Sequence, residues 1–264
     1  MNNFPIGIID SGSGGLSIWK EITALLPYES ILYVGDHAYL PYSEKSTGFI
    51  RHRVAKLIQF LIKKHVKLIV IACNTATVAG IDWYRVQFPT VPIIGVVPVV
   101  KTAAAMTKTN EMCILSTKYT ANSMYQKKLI AQFASHVTVI SIASSRLVEY
   151  IESRDVMRMK ILKELQAILK PIKNSKVDVL VVGCTHFPFI KEEIRQVIGT
   201  AITLLDSGPA VARQVKRILE NTDLITHSLN ASHVFYSTGD LRKVSTMYKK
   251  LLNHTVVVLP APIA

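Results

Sequence analysis

Short apolar runs alternate with longer amphipathic stretches along most of the chain. Runs rich in Val, Ile and Leu predict strands at Ile6–Ile9, Ser30–Val34, Leu68–Ala72, Pro92–Val96, Met112–Leu115, Val137–Ile140, Val179–Val182, Ile202–Leu205 and His233–Tyr236. Apolar residues at helical spacing predict helices at Leu16–Leu26, Gly48–His65 and Met157–Leu169. Because the strands are continuously apolar, we expect mainly parallel sheets that are covered on both faces, as in α/β folds.

Two of the predicted strands end in a cysteine followed by polar residues. The segment Val66–Ala76 resembles Val177–Phe187, with Cys73 aligned on Cys184. A second likeness pairs the segments at 6–12 and 202–208, which share Asp-Ser-Gly. Ligands of α/β folds bind beyond the carboxyl ends of the strands. The repeats therefore predict two related α/β lobes, each with a cysteine at the end of a strand. If the lobes face each other, the two thiols point at one another across a cleft. Chance likeness of apolar strands is the alternative.

Composition narrows the class of protein. The chain has 264 residues, of which 49% are hydrophobic, so a disordered or fibrous protein is excluded. No apolar run approaches the roughly 20 residues of a membrane helix. The first residues, MNNFPIGIID, lack the basic and apolar regions of a signal peptide. We therefore expect a cytoplasmic protein with no membrane partner.

The chain is basic, with 31 Lys and Arg against 18 Asp and Glu and a formal net charge of +13. Such a charge attracts anions of any kind. The basic residues form short groups, such as Lys63–Lys64 and Lys127–Lys128, and no basic run with interleaved aromatics is present. We interpret the positive charge as a solvated basic surface, so we do not expect nucleic acid as a partner. The same charge is compatible with the attraction of a dianionic substrate.

Three cysteines, Cys73, Cys113 and Cys184, are too few and too scattered for a disulfide framework. No C-x-x-C pair is present, so a zinc ribbon or a thioredoxin-like site has no support. Cys113 lies inside an apolar run and is expected to act as a small core residue. For the other two cysteines, a structural and a chemical role both stay open at this point.

A pair of strand-end thiols suits proton transfer at a carbon atom. Inversion at Cα requires one group to remove a proton from one face and another to supply a proton to the opposite face. A free thiol titrates near 8.5, so both of its forms are accessible near neutral pH. His186 follows Cys184 closely and could orient it or relay a proton, although a buried structural histidine is the simpler interpretation.

Asp10 closes the first strand, beside Ser11 and the glycine-rich turn Gly12–Gly15. Backbone amides of such a turn can hold a carboxylate. The turn lacks G-x-x-x-x-G-K-[ST] and is a poor G-x-G-x-x-G, so nucleotide binding has little support. A helix cap is the simpler role for Asp10.

Taken in their order along the chain, these motifs resemble the glutamate racemases of the aspartate/glutamate racemase superfamily. The resemblance runs from about Ile6 to Ile218, with a further match at Ser237–Asp240. The matching segments are Gly7–Leu16, Tyr33–Asp36, Leu40–Ser46, Ile71–Ala76, Gly183–Pro188 and Leu205–Gly208.

The resemblance implies cofactor-independent interconversion of L- and D-glutamate, with no metal, to supply D-glutamate for peptidoglycan. It implies Cys73 and Cys184 as acid and base, with Asp10 assisting one thiol and His186 the other, and with Glu152 near the site. The implied substrate contacts are Ser11, Pro41, Tyr42, Ser43, Asn74, Thr75, Thr117, Thr120 and Thr185. The implied fold is two pseudo-symmetric α/β lobes, 1–97 plus 207–264 and 98–206, with the active site in the cleft between them. The resemblance leaves open whether the protein forms a homodimer.

The chain departs from the family at three places. Ser43 and Tyr119 stand where the family usually has glycine, and Ser144-Ser145 replaces Cys-Pro. Because these departures bear on substrate preference, a racemase of aspartate or of another amino acid is an alternative. A binding or regulatory protein that uses the basic surface is a second alternative, and a redox protein whose two thiols bond to each other is a third.

Overall fold

The structure is a computed structural model that describes residues 3–153 and 158–263. Its contacts divide the chain into two compact units, Met1–Val96 with Gly208–Ala264, and Val97–Ser207. The predicted lobe limits, as limits of separately folding domains, stay a prediction. Within the described ranges, no helix has the length and apolar character needed to cross a membrane.

All strands pair in parallel within two sheets. The strands are β1 (Ile6–Asp10), β2 (Ile31–Gly35), β3 (Leu68–Ile71), β4 (Ile93–Gly95), β5 (Glu111–Ser116), β6 (Thr138–Ala143), β7 (Val179–Gly183), β8 (Thr203–Asp206), β9 (His233–Ser237) and β10 (Val258–Pro260). The first unit has the order β10-β9-β2-β1-β3-β4, and the second has the order β6-β5-β7-β8. The predicted α/β class with mainly parallel sheets is confirmed.

The helices connect these strands. They are α1 (Leu16–Leu25), α2 (Thr47–Lys63), α3 (Asn74–Gln87), α4 (Val100–Met106), α5 (Lys118–Asn122), α6 (Met124–Phe133), α7 (Arg146–Glu152), α8 (Arg158–Ile168), α9 (Lys191–Ile198), α10 (Gly208–Asn221) and α11 (Leu241–Leu252). The predicted start of one helix, Met157, lies outside the described residues. The short strand β10 was not predicted at all.

The two sheets repeat one strand order. In the first unit β2-β1-β3-β4 lie side by side, and in the second β6-β5-β7-β8 do. Cys73 therefore follows the third strand of one set, and Cys184 follows the third strand of the other. The likeness between the segments at 6–12 and 202–208 has no such basis, because β1 is a central strand whereas β8 lies at the edge of its sheet. Apolar strands that end in Asp-Ser-Gly account for that likeness without structural equivalence.

The apolar residues of helix α2 and strand β5 are buried in the pattern that their spacing along the sequence predicts. Val54, Leu57, Ile58 and Leu61 of α2 are fully buried, which matches the helical spacing. In the second unit, Met112 and Ile114 of β5 join the core cluster with residues of α4 and β7. Successive strand side chains point to opposite faces, so Cys113 lies on the other face of β5.

Candidate active site

The first thiol lies where two central strands of the first sheet end. Ile9 of β1 pairs with Ile71 of β3, so Ser11 and Cys73 emerge at the same edge. The Cys73 thiol donates to Ser11 Oγ at 3.6 Å, and Cys73 Sγ accepts the backbone N–H of Ala76 at 3.4 Å. Cys73 is the N-cap of α3 and is 6% exposed. A thiolate at this position would thus be stabilised by a backbone donor.

Asp10 ends β1 and is fully buried. Its Oδ2 accepts the Gly12 N–H at 3.2 Å. A Cβ on Gly15 would lie 2.8 Å from Asp10 Cβ and 3.0 Å from Tyr33 Oη, so only glycine allows this close approach. The amides of residues 16–18 bond to carbonyls of the same turn. The Gly12 N–H thus binds the protein's own Asp10 carboxylate, and the binding of a ligand carboxylate by this turn stays a prediction.

A second segment of the first unit holds three predicted substrate contacts. Pro41 follows a cis peptide bond, and Tyr42 and Ser43 lie in a short 3₁₀ turn over Tyr42–Glu44. The buried Tyr42 hydroxyl donates to Asp36 Oδ2 at 2.5 Å. Ser43 Oγ is buried and has no hydrogen-bond partner among the described residues. Ser43 lies in this 3₁₀ turn and is not among the residues with positive φ, so the backbone at this position does not require glycine.

Asn74 and Thr75 open α3 and are both buried. The Asn74 side-chain amide donates to the Val96 carbonyl at 3.4 Å, and this bond attaches the start of α3 to the segment after β4. Thr77 makes a similar link, since its Oγ1 accepts the Val96 N–H at 3.2 Å. These bonds hold the residues that follow Cys73 in place.

The second thiol is built in the same way in the second unit. Gly183 of β7 pairs with Ser116 of β5, so Cys184 and Thr117 emerge side by side. Thr117 Oγ1 donates to Thr120 Oγ1 at 3.1 Å and accepts the Thr120 N–H at 3.3 Å. Cys184 is 6% exposed, and Thr185 beside it is also buried.

His186 connects Cys184 to Glu152. Its Nδ1 lies 3.9 Å from Cys184 Sγ, and its Nε2 lies 2.7 Å from Glu152 Oε1. Burial alone would lower the pKa of His186, but hydrogen bonds to Cys184 and Glu152 and the negative charges of both raise the pKa well above its usual value. An imidazolium at this position can therefore stabilise a Cys184 thiolate.

The remaining cysteine has a different environment. Cys113 is fully buried in the middle of β5, and burial raises its pKa to about 12. Its thiol stays protonated near neutral pH, as expected for a core residue. Among residues 3–153 and 158–263, no group of three His, Cys, Asp or Glu could hold a metal ion.

In the first unit Cys73 contacts Ser11, which directly follows Asp10 at the end of β1. In the second unit His186 links Cys184 to Glu152. Sequence reasoning missed the buried pair of Asp36 and Arg53, which holds Tyr42. The signal for Arg53 was its position on the apolar stripe of α2, beside Val54 and Leu57.

Residues 6–215 match the model of the Asp/Glu/Hydantoin racemase family. The chain belongs to this family. Within it, the chain is 37% identical over 254 residues to the glutamate racemase of Ectopseudomonas mendocina, covering 96% of this chain and 97% of that one. These matches identify an isomerase of the glutamate racemase type.

Solved structures of glutamate racemases share the fold. One is the Escherichia coli enzyme in complex with L-glutamate and an activator, with a TM-score of 0.86, 33% identity and 97% of each chain covered. Another is the Francisella tularensis enzyme in complex with D-glutamate, with a TM-score of 0.85, 29% identity, 100% of this chain and 99% of that chain covered. The predicted family and enzyme class are confirmed.

Proposed function

We propose that this racemase interconverts L- and D-glutamate by proton transfer at Cα between Cys73 and Cys184, without cofactor or metal. The observation that carries the proposal is the equivalent placement of the two thiols after the third strand of a repeated strand order. The polar groups around the two thiols differ: Ser11 and the Ala76 amide contact Cys73, whereas His186 lies beside Cys184. Glutamate bound to two solved relatives, L in one and D in the other, supports the choice of substrate.

In the D-to-L direction, the Cys73 thiolate takes the Cα proton and becomes a thiol. The electron pair left on Cα then takes a proton from the Cys184 thiol on the opposite face, and Cys184 becomes the thiolate. The L-to-D direction reverses both steps, so each turnover leaves the pair ready for the other enantiomer. Thiols with accessible acid and base forms suit this exchange.

The neighbouring groups have matching roles in this proposal. Ser11 and the Ala76 amide contact Cys73 Sγ and stabilise its thiolate, while Asp10 assists from the end of β1. His186, held by Glu152, stabilises the Cys184 thiolate as an imidazolium. Desolvation of both thiols strengthens these interactions.

In each unit, the predicted substrate contacts lie in the segments that follow the strands, which supports their role. The hydroxyls of Ser11, Thr75 and Thr185 can bind carboxylate oxygens. Tyr42 donates its hydroxyl to Asp36, so we propose that the segment around Tyr42 contacts glutamate through other atoms. The remaining proposed contacts are Pro41, Ser43, Asn74, Thr117 and Thr120.

We further propose that the product D-glutamate serves peptidoglycan synthesis in the cytoplasm. The glutamate racemase type of the relatives supports this role. Three free cysteines suit a reducing compartment.

Exchange of the Cα proton in heavy water tests the proposal. The protein is mixed separately with L-glutamate, D-glutamate and L-aspartate, and NMR follows the Cα proton while circular dichroism follows the handedness. We expect both glutamates to exchange and racemise, Cys73→Ala and Cys184→Ala to be inactive, and Cys113→Ala to be active. Reaction of aspartate alone would contradict the substrate, and an active Cys73→Ala or Cys184→Ala protein would contradict the two-thiol mechanism.

A further inference from the structure

A fully buried carboxylate lies one strand away from Asp10. Asp36 follows β2 directly, and its backbone N–H bonds to the Asp10 carbonyl at 2.9 Å. Its Oδ2 accepts from Tyr42 Oη at 2.5 Å and from Arg53 Nε at 2.9 Å. Its Oδ1 accepts from Arg53 Nη2 at 2.9 Å and from Thr238 Oγ1 at 2.8 Å. Four donors thus satisfy both oxygen atoms, as a buried carboxylate requires.

Arg53 fixes this carboxylate from the buried face of α2. Its side chain is 4% exposed, and the two parallel bonds to Asp36 form a bidentate pair. The guanidinium also donates to the Ile263 carbonyl from Nη1 at 3.2 Å and from Nη2 at 3.1 Å. Its central carbon lies 4.5 Å from the centre of the Tyr39 ring. The chain segment after β10 therefore helps to hold Arg53 in one rotamer.

The pair sets the position of the segment that carries Pro41, Tyr42 and Ser43. The Tyr42 side chain is 1% exposed, and its one hydroxyl proton is directed at Asp36. Burial and the negative charges of Asp36 and Cys73 raise the pKa of Tyr42 well above its usual value, so the hydroxyl stays a donor. Asp36 follows β2 and Cys73 follows β3, and both strands pair in parallel with β1, so Asp36 holds Tyr42 at the sheet edge from which Cys73 emerges.

We propose that Arg53 is a positioning residue for substrate binding, which acts by holding Asp36 and through it the Tyr42 turn. This inference rests on the proposed function, because it takes that turn to contact glutamate. The described contacts of Arg53 go to Asp36, Ile263 and Tyr39, so we expect its loss to weaken glutamate binding more than proton transfer. Lysine cannot replace it, because an ammonium group cannot make the bidentate pair and reach Ile263 in the same way.

A second buried ion pair in the same sheet provides the matched control. Lys67 Nζ lies 2.6 Å from Glu29 Oε2, with side chains 1% and 2% exposed. Lys67 directly precedes β3 and Glu29 lies just before β2, so this pair occupies the amino ends of the strands, away from the thiols. Both variants disturb a buried ion pair: Arg53→Lys changes the pair with Asp36, and Lys67→Met removes the cation of the pair with Glu29. Only the second pair lies at the end of the sheet where no substrate contact is proposed.

The test measures KM, kcat and the melting temperature for Arg53→Lys, Tyr42→Phe, the double variant and Lys67→Met. We expect Arg53→Lys to raise the KM for glutamate by about 10- to 100-fold, with kcat within about threefold of the wild type. Tyr42→Phe breaks the same link, so the double variant should raise KM no more than the larger single effect. Lys67→Met should lower the melting temperature while KM stays unchanged.

The outcomes separate this inference from the proposed function. A wild-type protein that does not racemise glutamate overturns both. A wild-type protein that racemises glutamate, with an Arg53→Lys variant that melts earlier at unchanged KM, overturns the positioning role alone. Equal KM increases in Arg53→Lys and Lys67→Met would also overturn it, because general destabilisation would then explain both. If Arg53→Lys does not fold, Tyr42→Phe and Thr238→Val decide, since each removes one donor to Asp36 and an unchanged KM in both would refute the link.

Discussion

Replacement of Glu152 by glutamine tests the electrostatic support of the second thiol. Glu152 Oε1 lies 2.7 Å from His186 Nε2, and the His186 ring lies 3.9 Å from Cys184 Sγ. Glutamine keeps the shape of the side chain and one hydrogen-bond acceptor, but it removes the negative charge. The pKa of His186 should then fall, because one of the two charges that raise it is gone.

The size of the effect follows from the geometry of the pair. A hydrogen bond to a charged group contributes about 1.5–3 kcal/mol, and the side chains of this pair are 3% and 9% exposed, so little solvent screens it. A loss of about 2 kcal/mol corresponds to about a 30-fold change in an equilibrium or rate constant. We therefore expect the variant to lower kcat/KM about 30-fold, because Cys184 then loses part of the imidazolium that stabilises its thiolate.

The Glu152→Gln variant can affect L-to-D and D-to-L racemisation differently only in the rates of individual steps, not in the overall kcat/KM. L- and D-glutamate have equal free energies in water, so the kcat/KM values of the two directions must fall together in any variant. In the proposed mechanism, removal of the Cα proton from L-glutamate is the step that uses Cys184 as the base. We expect the primary deuterium isotope effect to increase for Cα-deuterated L-glutamate and not for the D form. Glu149→Gln, on the exposed side of the same helix, is the matched control.

The same variant has a defined dependence of stability on pH. The pKa of His186 is raised in the folded state, so the protonated ring stabilises the fold fully below the unfolded pKa of about 6.5. That contribution is lost as the pH rises through the folded pKa. Urea unfolding should show a deficit of about 2 kcal/mol for Glu152→Gln at pH 6, and a smaller deficit above the raised pKa. An equal loss at all pH values, or a larger isotope effect from D-glutamate, would refute the assigned coupling.

Three further predictions follow from buried contacts. Iodoacetamide at pH 8 should label the two strand-end thiols and leave Cys113 unlabelled in the folded protein, because burial raises the pKa of Cys113 to about 12. Peptide mass spectrometry identifies the labelled cysteines, and labelling of Cys113 would contradict its burial in the core. Lys67→Met should lower the free energy of unfolding, measured in urea, by about 3–5 kcal/mol, because it leaves the buried Glu29 carboxylate without its cation. Adding Glu29→Leu should restore most of the lost stability, and no recovery would mean that the unpaired carboxylate does not cause the loss. Gly15→Ala should cost about 1–3 kcal/mol and lower activity, because its Cβ would lie 2.8 Å from that of Asp10; a fully active variant would show that the turn adapts.

The periodic patterns predicted the class of fold because each strand carries its own apolar signal. They could not predict strand order, which depends on pairing between distant segments. The likeness of 6–12 to 202–208 misled for that reason, since a central and an edge strand can have the same local sequence. Strand β10 was missed because it spans three residues and ends in Pro260, so its hydrogen bonds with β9 define it rather than any pattern.

Candidate residues at the carboxyl ends of strands, or just after them, were found by the topology rule of α/β folds. Asp10, Cys73 and Cys184 all belong to this group. The contact of Glu152 with His186 spans 34 positions and was expected only from the family resemblance. Arg53 escaped notice because an isolated arginine on a helix is usually solvated; its place on the apolar stripe required a buried partner that lies 17 positions away.

The order in which the sheets are completed has a consequence for synthesis on the ribosome. The second unit is one continuous stretch, Val97–Ser207, whereas the first needs both ends of the chain. Strand β2 is apolar and fully buried, yet its neighbour β9 is made last but one among the strands. At about 5–20 residues per second, the roughly 140 residues from the end of β4 to β9 take about 7–28 s. During that time the edge of β2 lacks its partner strand and is open to aggregation. Chaperones that cover nascent apolar edges should therefore matter more for this chain than for a chain whose first domain is complete before the next begins.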